Sequence, residues 1–97
     1  MITLEELRTK YKPQILELAE KHGVTDIRVF GSVARGEARE DSDVDFLIKR
    51  LPKTDLMDIG GFYSGVEDLL NCKIDVVSEG ALSHRMKDRV IHEAVHL

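Results

Sequence analysis

Apolar residues along the first twenty or so positions recur at helical spacing. Leu4, Leu7 and Tyr11 share one side of a first helix. Thr3-Leu4-Glu5-Glu6 opens it as a capping box, with Thr3 as N-cap and Glu6 three residues on. Pro13 lacks an amide N–H and clashes inside a helix, so a break or kink is expected near Lys10 to Pro13. A second helix then runs to about Lys21, carrying Ile15, Leu18 and Ala19, and Gly23 is placed to end it. The period next changes from helical to alternating. Thr25 to Phe30 reads as a first strand, Asp43 to Ile48 as a second opened by Ser42, and Lys73 to Val77 as a third. Between the last two, Asp55 to Leu70 reads as a helix with Leu56, Ile59, Phe62, Val66, Leu69 and Leu70 at core spacing. Gly60-Gly61 weakens its start. A last helix is expected over Ala81 to Val95, with Leu82, Met86, Val90 and Ala94 along its buried stripe. Lys49 to Lys53 reads as a basic, solvated loop.

These elements predict a topology. A helix of this length between the second and third strands suits parallel neighbours joined by a right-handed crossover. The first and second strands should be antiparallel, since the end of one and the start of the other must reach the same ligand. The expected fold class is α+β (α/β): a small mixed sheet of three to four strands packed against helices. Ninety-seven residues suit one domain, 1–97, with a modest core.

The candidate chemistry sits at two strand ends. Gly31-Ser32 stops the first strand, and glycine permits a sharp turn and close backbone approach. Val33-Ala34-Arg35 can begin a helical turn whose N–H groups face an anion, and Gly36 stops it. Ser32 can add its hydroxyl to a phosphate oxygen, and Arg35 a charged fork. On the second strand Asp43 and Asp45 share one face, while Val44, Phe46 and Ile48 share the other. Adjacent carboxylates repel, and a divalent cation between them relieves this. Oxygen donors favour a hard ion such as Mg²⁺. Asp75 is the third strand's only carboxylate. If that strand pairs beside the second, Asp75 can face the other two, and three acids could hold two metals for an in-line displacement. Asp75 would also be near enough to help deprotonate an incoming hydroxyl.

Each piece alone matches by chance, and the combination is what is specific. Gly31-Ser32-x-x-Arg35-Gly36, then Ser42-Asp43-x-Asp45, then a lone strand Asp75 resembles the nucleotidyltransferase superfamily of the DNA polymerase β type. Within it the chain resembles the minimal nucleotidyltransferase (MNT) proteins, antitoxins to HEPN-domain toxins. The likeness covers nearly the whole chain, including Arg28-Val29-Phe30-Gly31-Ser32 and the closing Arg89-Val90-Ile91-x-Glu93-Ala94. It implies a polymerase β palm-like fold and transfer of AMP from ATP to a hydroxyl of the partner toxin, commonly a tyrosine, as the antitoxin of a type VII pair. In that scheme Gly31 and Ser32 hold phosphates, Arg35 contacts one, and Asp43, Asp45 and Asp75 bind two Mg²⁺ ions. Two other readings stay open: a non-catalytic module that masks the toxin surface, and an enzyme acting on a small molecule such as an aminoglycoside.

Composition narrows the partners. Fourteen basic residues against eighteen acidic ones give a net charge of −4, which argues against a nucleic-acid backbone as direct partner. One cysteine, Cys72, allows no internal disulfide and fits a reducing cytoplasm. No apolar run is long enough for a membrane span, so no membrane partner is expected. A homo-oligomer and a hetero-oligomer with the toxin are both compatible with the sequence. His92-Glu93-Ala94-Val95-His96 matches the zinc-protease pattern H-E-x-x-H, but such a site needs a third protein ligand and none is expected here. On a helical wheel both histidines fall opposite Val90 and Ala94, so chance polar positions on a terminal helix are expected.

Overall fold

The structure, a computed structural model, describes residues 2–97. Thr3 caps α1 (Leu4–Glu6) through the expected reciprocal box with Glu6. The irregularity expected near Lys10 to Pro13 takes the form of a π-helical stretch, Leu7–Tyr11, after which the chain resumes as α2 (Lys12–His22), with Pro13 in its first turn. Proline is tolerated there because first-turn N–H groups lack helical partners anyway. Gly23, at φ +68°, ends α2.

The chain continues through β1 (Val24–Phe30), the short α3 (Gly31–Arg35), β2 (Val44–Arg50), α4 (Leu56–Leu70) and β3 (Ile74–Ser78). A 3₁₀ turn, Glu79–Ala81, then leads to α5 (His84–Glu93) and β4 (Val95–His96). Strand order is β3-β2-β1-β4, with β2 and β3 parallel and the other pairs antiparallel. The mixed sheet is therefore as expected, and α4 is the crossover. Asp55 caps α4 through its own box with Asp58.

One face of the sheet makes the core. Val29, Val44, Phe46 and Ile48 pack with Leu7, Ile15, Ala19, Phe62, Val66 and Leu70 from the helices. Gly61 and Gly65, weak helix formers, let α4 approach α2: a Cβ there would meet the His22 ring at 2.5 Å and Leu18 Cδ2 at 2.7 Å.

Four expectations need correction. Leu56, read at core spacing, is the first residue of α4 and is 82% exposed. The strand β2 runs on through Lys49 and Arg50, because both pair with β1. The last helix is shorter than the pattern predicted, starting at His84 and stopping at Glu93. From Ala94 the backbone is extended, because Val95 and His96 pair with Val29 and Arg28 of β1. Met86 is not on a buried stripe: it is 55% exposed, and Val90 is the one buried residue of α5. Sheet pairing outcompeted helical continuation at the C-terminal end, since a strand edge offers unpaired N–H and C=O groups.

Candidate active site

The site is built on the end of β1 and the start of β2. Phe30 and Asp45 are partners across the antiparallel pair, and Asp45 and Asp75 are partners across the parallel pair. Residues directly opposite in a sheet point to the same face, so Asp75, Asp45 and Phe30 form a row across three strands. Asp43 lies two residues before Asp45 and immediately precedes β2; the backbone there is anchored by Val44 N–H donating to Lys73 O at 3.1 Å. Asp43 and Asp75 are exposed and Asp45 is half-buried.

Gly31 turns the chain against this row. Its φ is +75°, and a Cβ at that position would stand 2.1 Å from Asp45 Oδ2. Any side chain would collide with the carboxylate as well as strain the backbone. Glycine is thus what lets the turn and the acid share one corner. The turn closes as expected, with Gly36 at φ +73° and its N–H bonded back to Ser32 and Val33 carbonyls.

The electrostatics of the corner are unbalanced. Burial, and then repulsion from Asp75, Asp43 and Glu93, pushes the Asp45 carboxyl up to about 6, with Arg35 opposing. Such a group gains from a cation, and an all-oxygen donor set of adjacent carboxylates fits a hard divalent ion. Among the described residues no three His, Cys, Asp or Glu side chains converge on a point that would hold a metal. The fit therefore rests on the donor chemistry and on the repulsion at Asp45.

The Gly31–Arg35 side of the corner is engaged by a residue given no role there on sequence grounds. Gly31 N–H donates to Glu93 Oε2 at 2.9 Å. The Arg35 guanidinium makes a short contact with Glu93 Oε1, and its Nε donates to Glu37 Oε2 at 3.1 Å. Arg35 and Gly31 together hold the Glu93 carboxyl below its ordinary range. Glu93 lies 62 positions from Gly31; the closing Arg89-to-Ala94 segment contains it, but no local spacing shows that it reaches the Gly31 turn. The H-E-x-x-H string is explained differently: His92 lies in the last turn of α5, Glu93 ends the helix bound to α3, and His96 sits on β4, so the two histidines do not share a helix. Both are exposed, as expected.

With that geometry the comparisons decide the family. The nucleotidyltransferase domain family matches residues 11–96. The chain belongs to the nucleotidyltransferase family. This nucleotidyltransferase is 37% identical over 97 residues to the protein adenylyltransferase MntA of Thermococcus cleftensis, covering 100% of this chain and 98% of that one. It is 33% identical over 94 residues to MJ0435 of Methanocaldococcus jannaschii, provisionally named a protein adenylyltransferase, covering 97% of each. A solved structure described as a minimal nucleotidyltransferase superposes with a TM-score of 0.87 at 43% identity, over 99% of this chain and 97% of that chain. A toxin–antitoxin structure with AMP-PNP has a TM-score of 0.74 at 18% identity, over 88% of this chain and 70% of that one, a likeness of fold. No helix among the described residues is long and apolar enough to cross a membrane.

Proposed function

We propose that this nucleotidyltransferase, a minimal domain spanning 1–97, moves AMP from ATP to a hydroxyl of a HEPN-type toxin, a tyrosine being the expected acceptor, and so serves as its antitoxin in the cytoplasm. The observation that carries the reading is the row Asp75–Asp45–Phe30, with the Gly31 backbone packed against the Asp45 carboxylate. That places acids and phosphate donors within one corner. The likeness to the Thermococcus protein adenylyltransferase supports AMP as the group transferred. The solved MNT–HEPN and toxin–antitoxin complexes that share this fold support the partner and the nucleotide.

In this reading Gly31 and Ser32 orient the β- and γ-phosphates and Arg35 adds a charged contact. Asp43, Asp45 and Asp75 would hold Mg²⁺, which supplies charge neutralisation between the carboxylates and the triphosphate. The acceptor oxygen bonds to the α-phosphorus as the α–β bridging P–O bond breaks, and the electron pair leaves with pyrophosphate. Asp75 takes the acceptor's proton. The protein's contribution is positioning and fixed charge.

Labelled ATP, Mg²⁺ and a HEPN partner test it directly. Label should appear on the partner, and Asp43→Ala/Asp45→Ala should lower the rate by about a thousandfold or more. Equal labelling by that double variant removes the enzyme claim. A masking antitoxin is the second reading. Full neutralisation of the toxin by the double variant would select it.

A further inference from the structure

The two groups assigned to the triphosphate, Gly31 N–H and the Arg35 guanidinium, already share one anion. Glu93 spans them with one carboxylate oxygen on each. A carboxylate and a phosphate compete for such donors because both accept paired, charge-assisted hydrogen bonds. Three features mark this contact as more than a brace. First, Arg35 has a second acid, Glu37, at 3.1 Å, so Glu93 is not needed to neutralise it. Second, Glu93 is the last residue of α5, where the helix dipole disfavours a negative charge. Third, the backbone on either side is fixed without it: Val90 is buried before it, and Val95 is paired with Val29 after it. The side chain can swing away while α5 and β4 stay in place, and at 22% exposure it has solvent to swing into.

We propose that Glu93 is a resident phosphate surrogate: its carboxylate keeps the Gly31–Arg35 corner shaped and occupied until the phosphates of the incoming nucleotide displace it. The inference rests on the proposed nucleotide site and adds a self-competition to it. Apparent affinity for any phosphate chain is then reduced by the fraction of time Glu93 holds the corner.

The test compares wild type, Glu93→Gln and Glu93→Ala by calorimetry, with Mg²⁺ plus either α,β-methylene ATP or inorganic tripolyphosphate. Both variants should bind both probes about five- to tenfold more tightly than wild type. Unchanged or weaker binding overturns the surrogate, because a brace that shapes the turn would weaken binding when removed. Amide NMR of wild type gives an independent reading. The Gly31 N–H and Arg35 Nε–H resonances should move together on saturation with either probe, as their acceptors change. A stationary Gly31 signal amid shifts at neighbouring site amides overturns the proposal even if both variants misfold. Wild-type binding that is lost in Asp43→Ala/Asp45→Ala, without tightening at Glu93, rejects the surrogate alone. No binding of the nucleotide analogue by wild type rejects the proposed function and the surrogate together.

Discussion

Two charged clusters sit on the same face of the sheet, one row apart, and they are balanced differently. In the first, Arg28 of β1 is buried and its Nη2 lies 3.2 Å from both Asp26 Oδ2 and Glu79 Oε2. Lys49 Nζ stands 3.5 Å from the same two acids, and His96 Nδ1 is 3.4 Å from Asp26 Oδ1. A bulge between Thr25 and Arg28, with Asp26 at φ +52°, aims that acid into the group. Each acid there has cations at hand. In the second, around Asp45, acids outnumber bases: Asp43, Asp45, Asp75 and Glu93 face Arg35, which Glu37 also claims. The first cluster ties β1, β2, β4 and the 3₁₀ turn together. The second leaves unrelieved repulsion at a corner that a cation would neutralise. A closed charge account marks architecture, and an open one marks a place built for ligands.

The sharpest break of this contrast is Arg28→Met. It strands two partly buried acids and should cost about 3 kcal/mol, lowering the melting temperature by roughly 12 °C or more in a chain of this size. Calorimetric melting checks it, and a change under 1 kcal/mol would mean that Lys49 alone balances the cluster. Next comes Gly31→Ala. Positive φ and the clash with Asp45 Oδ2 should destabilise the chain by about 2 kcal/mol, while circular dichroism keeps the native signature. AMP transfer should fall far more than stability does.

The smallest effect carries the opposite sign. Asp45 has a folded-state pKa of about 6 against an ordinary 3.8. Between those values the folded chain keeps a proton that the unfolded chain releases, so this group's contribution falls as pH rises through the window and stays reduced above it. Asp45→Asn removes the charge. Without Mg²⁺ it should raise stability at pH 7.5 by on the order of 1 kcal/mol after allowance for solvent screening. The gain should fade as pH falls from about 6 to about 4, because wild-type Asp45 then becomes neutral as well. Thermal melts at pH 4.5, 6 and 7.5 read this directly. A gain that does not depend on pH would point to packing rather than charge.

Much of this was legible in the chain itself. Thr3 and Glu6, or Gly23 after a run of helical residues, act within a turn of themselves, so local spacing reveals them. The same holds for Gly31-Ser32 after an apolar strand, and strand alternation is the reason the sequence reads Asp43 and Asp45, two apart, as sharing one face. Asp75 was harder. Its place depends on β3 pairing in register with β2, which the length of α4 suggests but does not fix. The long-range partners of Glu93, Arg28 and Glu79 were beyond reach. Arg28 and Glu79 are 51 residues apart by number, and no spacing rule links them. Met86 misled because α5 has helical periodicity while little of the protein lies beneath it.

Local sequence, then, determined which segments would be strand, turn or helix, and which side chains could carry phosphate or metal chemistry, because propensity, capping and alternation act over a few neighbouring residues. Only the folded chain decided that the final residues become a fourth strand and that a distant glutamate reaches the Gly31 turn. Both outcomes depend on edges and donors left free by other elements, and those exist only once the sheet has assembled.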